Sequence, residues 1–327
     1  MKSMMTVPQA AELIQSGKKL LIAGDEALLA ALPQGEWIGG TIPYFMSEDG
    51  GLFTREQVQV VPLPDFVSIG EIKLYDINNL AQIPADYQSN GFAYAIVPAF
   101  SEAHQKFSQD CMNWPGVFDR PLVGWIAGID LKDAGKVTPK VFNGRSGQAS
   151  ATEAVVMHAN LPLQMFAKAN IINLFRPGKG DSISFPASGF EATECLINGK
   201  TLNFAEYVES LKIDPQLPLV ADYMGAMVNV SFQSVDVSAG KVAFYAPVFP
   251  GVEYRIAEPV NDYAAQFDEN LSARNVSPVF TCNCILNYLY AKLEGKKTGN
   301  IVGPITFGEI AYMLLNQTLV YLTFETR

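Results

Sequence analysis

The residues whose types and spacing could do chemistry sit near the C-terminal end. Cys282 and Cys284 are two apart, and a glycine-rich stretch carries Gly303, Thr306, Gly308 and Glu309, with Asn316 beyond it. A thiol becomes a nucleophile once a histidine or a helix N-terminus favours its ionised form. A carboxylate such as Glu309 can hold an ammonium group by charge-assisted hydrogen bonds, and backbone N–H groups of a glycine-rich turn can hold a carboxylate. Cys282 and Cys284 with His104 or His158 could also supply zinc ligands. Cysteines at i and i+2 on a strand share a face, which equally suits two small buried thiols, so no metal is expected. The chain has only two histidines. Neither lies near a strained nucleophile turn.

Other chemistry is missing. There is no Gly-x-Gly-x-x-Gly after a strand, no Gly-x-x-x-x-Gly-Lys-Ser/Thr, no His-Glu-x-x-His and no Gly-x-Ser-x-Gly. The run from Arg176 to Ser182 lacks phosphate-loop spacing and suits an ordinary turn. No cofactor is expected. Lys plus Arg number 23 against 33 Asp plus Glu, a net charge of −10 that opposes binding to nucleic acid or to anionic lipid. No apolar run reaches the roughly 18 to 20 residues of a membrane-spanning helix, and the N-terminus lacks a signal-peptide apolar region. Four cysteines in 327 residues are too few for a disulfide framework. A cytoplasmic protein is therefore expected.

The elements that would position these residues recur as three strand–helix–strand units. They are KLLIAGD, EALLAALPQGE and WIGGTI; FAYAIVPAF, SEAHQKFSQDCMNW and PLVGWIAGI; and SPVFTCNC, ILNYLYAKLEGKK and NIVGPITFGEI. Asp25 and Ser101 are placed to cap the first two helices. Leu286, Leu289, Tyr290 and Leu293 form one face of the third, closed by Gly295. Such units give parallel neighbours with a right-handed crossover. Gly39, Gly124 and Gly303 each fall at the start of, or within, the second strand of a unit.

Elsewhere the pattern is antiparallel. Asn143-Gly144 and Asn198-Gly199 read as two-residue hairpin turns, and alternation over 227–257 reads as a meander. Phe204, Tyr207, Val208 and Leu211 make one helical stripe, and Tyr263, Phe267 and Leu271 another. The expected fold is α+β, with mixed α/β character. It consists of two related halves, 1–198 and 199–327, each with a mixed sheet, and the meander lies in the second.

Pro278-Val-Phe-Thr-Cys282, Gly299-Asn-Ile-Val-Gly303-Pro-Ile-Thr-Phe-Gly308-Glu309-Ile310 and Asn316-Gln-Thr-Leu-Val-Tyr-Leu322 resemble the C-terminal half of the FIST family, named for F-box and intracellular signal transduction proteins. Pro218-Leu-Val-Ala-Asp222 and Phe249-Pro-Gly-Val-Glu-Tyr-Arg255 extend the similarity upstream. More loosely, Ile38-Gly-Gly-Thr-Ile42, Pro121-Leu-Val-Gly-Trp-Ile-Ala-Gly128 and Val141-Phe-Asn-Gly144 resemble its N-terminal domain. Ile285 stands where that family commonly has arginine. The resemblance implies a stand-alone sensory module that binds a small polar metabolite, an amino acid or derivative, and signals through a partner protein.

The expected ligand-binding residues are Cys282, Gly303, Thr306, Gly308, Glu309 and Asn316, with no catalytic residue. Two other functions stay open: a thiol-dependent enzyme using Cys282 or Cys284, and a structural or interaction protein.

Overall fold

The computed structural model describes residues 2–223, 225–272, 277–299 and 301–327. Asn300, part of the glycine-rich motif, and the Leu271 side chain lie outside the described residues. The architecture is α+β, as the sequence pattern implies, with strands outweighing helices. None of the described helices is long and apolar enough to cross a membrane.

All three strand–helix–strand units form parallel pairs. Leu20–Gly24 lies parallel to Trp37–Thr41 across α2 (Glu26–Ala30), which follows α1 (Val7–Gln15). Gly91–Pro98 lies parallel to Leu122–Ala127 across α3 (Glu102–Asp110). Phe280–Cys284 lies parallel to Gly303–Thr306 across α6 (Ile285–Tyr290); α4 (Phe204–Ser210) and α5 (Tyr263–Ser272) fall earlier in the chain. The caps act as the residue types dictate: Asp25 accepts from the Ala27 N–H at 3.3 Å, and Ser101 from the His104 N–H at 3.0 Å.

The glycine steps have a steric cause. At Gly124 a Cβ would stand 1.8 Å from the Ala95 carbonyl oxygen, and at Gly303 it would stand 2.3 Å from that of Thr281. Each second strand thus approaches the first closely enough to exclude any side chain. Gly124 also has φ +152°, which side-chain-bearing residues rarely adopt.

Contacts divide the chain into two compact units. The first comprises Met1–Ile172, Asp268–Leu314 and Leu319–Arg327, and the second Asn173–Phe267 with Leu315–Thr318. A boundary at 198 would cut through the second unit. Strand pairing between distant segments draws this division, and local sequence pattern does not report it.

The first unit holds three six-stranded sheets. The first sheet contains the Leu20–Gly24 pair, the second the Gly91–Pro98 pair and the third the Phe280–Cys284 pair. The first and third sheets meet the same face of the second at Trp125. The Phe280 ring stacks on Trp125 with centroids 5.7 Å apart, and a Cβ on Gly40 would come within 3.0 Å of the Trp125 Nε1. Helices α1 and α2 cover the outside of the first sheet, closing a core of Leu20, Ile22, Leu29, Trp37 and Val58. Strands from the C-terminal segment complete sheets begun upstream: Gly303 pairs with Met46, and Glu309 with Trp125.

In the second unit a six-stranded and a three-stranded sheet enclose α4 and a core of Phe185, Phe204, Phe232, Phe244 and Tyr254. Asn198 (φ 48°) and Gly199 (φ 81°) form the expected two-residue turn between Glu194–Ile197 and Lys200–Asn203. The other expected turn is longer. Asn143 pairs with Gln148, so residues 144–147 make the connection. The expected meander splits as well: Ala226–Val230 joins one sheet and Phe232–Asp236 the other. The break falls at Ser231, whose side chain turns into a buried polar network instead of continuing the alternation.

Candidate functional site

Cys282, Thr306, Gly308 and Glu309 come together, but inside the first unit. Cys282 is 1% exposed, and Thr306 and Glu309 are fully buried. The Cys282 Sγ donates to the Gly124 carbonyl at 3.1 Å, and Thr306 Oγ1 donates to the Gly308 carbonyl at 3.0 Å. Gly303 lies within a strand and not in an open turn. The amides around this stretch are spent on pairing: Phe307 N donates to the Ile126 carbonyl at 3.1 Å, and Ile126 N to that of Gly308 at 2.8 Å. Asn316 belongs to the second unit, where its Oδ1 accepts from Ser231 N at 3.1 Å and from Ser231 Oγ at 2.5 Å.

This interior environment opposes thiol chemistry. Burial, and then the neighbouring Glu309 charge, push the Cys282 thiol well above its ordinary value. Cys284 is equally buried, and the helix it precedes has six residues. Both histidines are held neutral, since burial lowers each to about 4. Among the described residues no three His, Cys, Asp or Glu side chains are grouped to hold a metal ion.

An open site lies elsewhere in the same unit. A cavity of about 320 Å³ is formed at the carboxyl ends of Leu20–Gly24, Trp37–Thr41 and Leu122–Ala127, walled by Asp25, Thr41, Ile42, Gly128, Ile129 and Asp130. Strand carboxyl ends are where open α/β sheets place ligands, because the connections diverge there and leave a crevice. Ile42, Ile129 and Pro43 supply apolar surface, and four carboxylates (Asp25, Glu26, Asp130, Asp133) and one guanidinium, Arg55, also line it.

The charges are ordered. Arg55 Nε donates to Asp25 Oδ2 at 2.7 Å and Nη1 to Asp133 Oδ2 at 3.0 Å, and Asp25 raises the pKa of the guanidinium further. Two of its five N–H donors are thereby used. The Tyr44 hydroxyl donates to Asp130 Oδ1 at 3.2 Å, and burial followed by the Asp130 charge raises the pKa of that phenol. Lys140 Nζ pairs with Glu26 at 2.5 Å.

Sequence reasoning read Asp25 only as a helix cap and passed over Arg55, Asp130 and Asp133. The signal that could have found part of this site is position. Asp25, Thr41 and Gly128 each directly follow or end a strand of a strand–helix–strand unit. Arg55 and Asp133 carry no such mark, because they arrive from loops.

A comparison with curated proteins finds no match. One family covers almost the whole chain, from residue 5 to residue 325. The protein accordingly belongs to the family of unknown function DUF6976.

Proposed function

We propose that the protein is a small-ligand-binding sensory module, acting in the cytoplasm through a partner protein, and that its ligand occupies the cavity at the strand carboxyl ends. The observation that carries this reading is the cavity itself: about 320 Å³, partly enclosed, with apolar walls and opposite charges fixed at known places. A zwitterionic metabolite such as an amino acid or derivative fits that chemistry. Its ammonium suits Asp130, and its carboxylate suits the Arg55 N–H groups that Asp25 and Asp133 do not take. The resemblance of 278–322 to a sensory family supports the same class of function.

A thermal-shift screen of amino acids, amines and small carboxylates tests the reading, since a ligand that binds only the folded state raises the melting temperature. The active compound should lose about 1.5 to 3 kcal/mol of affinity in Asp130→Asn, the range for a hydrogen bond to a charged group. Thr306→Val, in the interior, should leave its affinity unchanged. The reverse pattern would return the site to the Thr306–Glu309 stretch.

A further inference from the structure

We propose that residues 128–140 are a lid over this cavity, hinged at Thr41 and latched by Arg55. The inference rests on reading the cavity as a ligand site and adds how entry to it is controlled.

The segment leaves Leu122–Ala127 and returns at Val141–Asn143. Both of its ends are pinned to one residue. Gly128 N donates to the Thr41 carbonyl at 2.7 Å, and Lys140 N donates to Thr41 Oγ1 at 2.9 Å. Thr41 N in turn donates to the Lys140 carbonyl at 2.9 Å. A loop whose ends are clamped together this way can swing without disturbing the strands that carry it. Its first part is held by Tyr44, whose hydroxyl donates to Asp130 Oδ1 and accepts from Leu131 N, both at 3.2 Å.

Beyond Leu131 the ties almost vanish. Among the described residues, the Asp133–Arg55 pair is the only hydrogen bond or ion pair joining residues 132–139 to another segment. Residues 134–138 are exposed. Yet Gly128, Ile129, Asp130, Asp133, Val137 and Thr138 all line the cavity. The wall that covers the site is therefore also its most loosely fastened part.

Arg55 is built to fasten it. Its guanidinium spans from Asp25, at the end of the Leu20–Gly24 strand, to Asp133 on the loop. With side-chain exposures of 48% for Arg55 and 30% for Asp133, the outer pair is accessible to salt. Such a contact is weak enough to open thermally and strong enough to bias the closed form.

The test needs no ligand. Ile42 lies outside the lid, lines the cavity and is fully buried. In Ile42→Cys the new thiol should react with a maleimide only when the lid lifts, while the four native cysteines are buried and give the background. Adding Arg55→Ala, or in a second variant Asp133→Asn, should speed labelling of the thiol at position 42 by about 2- to 5-fold, the upper part of the range for the one exposed ion pair that holds the lid. Raising NaCl from 0.05 to 1 M should speed it in the Ile42→Cys parent and have little effect once the latch is gone. Rates within twofold of the parent in both latch variants would overturn the proposal, as would labelling as fast as a free peptide thiol in the parent. Faster labelling with no compound found in the thermal-shift screen would keep the lid and remove the ligand reading.

Discussion

Lowering the pH from 7.5 to 5 should weaken the fold through His158. The side chain is fully buried on the strand Ala154–Asn160, in contact with Tyr75. The Tyr75 hydroxyl donates to Asp86 Oδ2 at 2.6 Å, so its oxygen accepts from His158 Nε2 at 2.8 Å, and the imidazole is the neutral Nε2–H tautomer. Its Nδ1 has no hydrogen-bond partner among the described residues. A proton there would add an unpaired N–H in a buried site, and burial accordingly lowers the imidazole from 6.5 to about 4. A base whose pKa is lower in the folded state binds fewer protons there than when unfolded. The stability it supports is complete above pH 6.5 and is lost as pH falls from 6.5 toward 4. The full loss is about 3 kcal/mol, and about 2 kcal/mol of it is gone by pH 5. Urea unfolding of wild type and His158→Gln at pH 7.5, 6 and 5 isolates the term. The variant should lose about 2 kcal/mol less than wild type over that range. Parallel losses in the two proteins would refute the reasoning, and a wild type that gains stability on acidification relative to the variant would mean an imidazolium paired with Asp86.

Other perturbations probe the packing. Gly124→Ala should cost about 3 kcal/mol or more, because the new Cβ meets the Ala95 carbonyl oxygen. Gly135→Ala, with φ +78° but open space around it, should cost about 1 kcal/mol, and chemical denaturation compares the two. Ser231→Ala removes a hydroxyl set 2.5 Å from both Asn316 Oδ1 and Gln317 Oε1 and should lower stability by about 1 to 3 kcal/mol in the same assay. Iodoacetamide at neutral pH should leave Cys282 unmodified in the folded protein and alkylate it after unfolding, as mass spectrometry would report.

What the sequence made legible was local. The three parallel units could be read because each is a contiguous strand, helix and strand with a glycine at the close approach, and Asp25 and Ser101 cap the helices of the first two. The turn at Asn198-Gly199 was legible for the same reason: both residues tolerate positive φ. Long-range pairing was not. Nothing in the 303–311 stretch announces that Gly303 will pair with Met46 and Glu309 with Trp125, and those pairings bury the residues that looked like an open turn. The cavity was hidden by the same nonlocality, since Asp25, Arg55 and Asp133 meet only after the first unit has closed. Asn316 looked continuous with Glu309, yet the chain passes into the second unit between them.

The central claim is that a small polar ligand occupies the cavity at the strand carboxyl ends, and a cavity-filling variant tests it most directly. Ala30 lines that cavity from the exposed side of α2, so Ala30→Trp adds bulk to the cavity without entering the core. Calorimetric titration of the compound selected by thermal shift should show one site in wild type and, in folded Ala30→Trp, affinity weaker by at least about tenfold, or 1.4 kcal/mol. Equal affinity in the two proteins would contradict the account and place the ligand elsewhere.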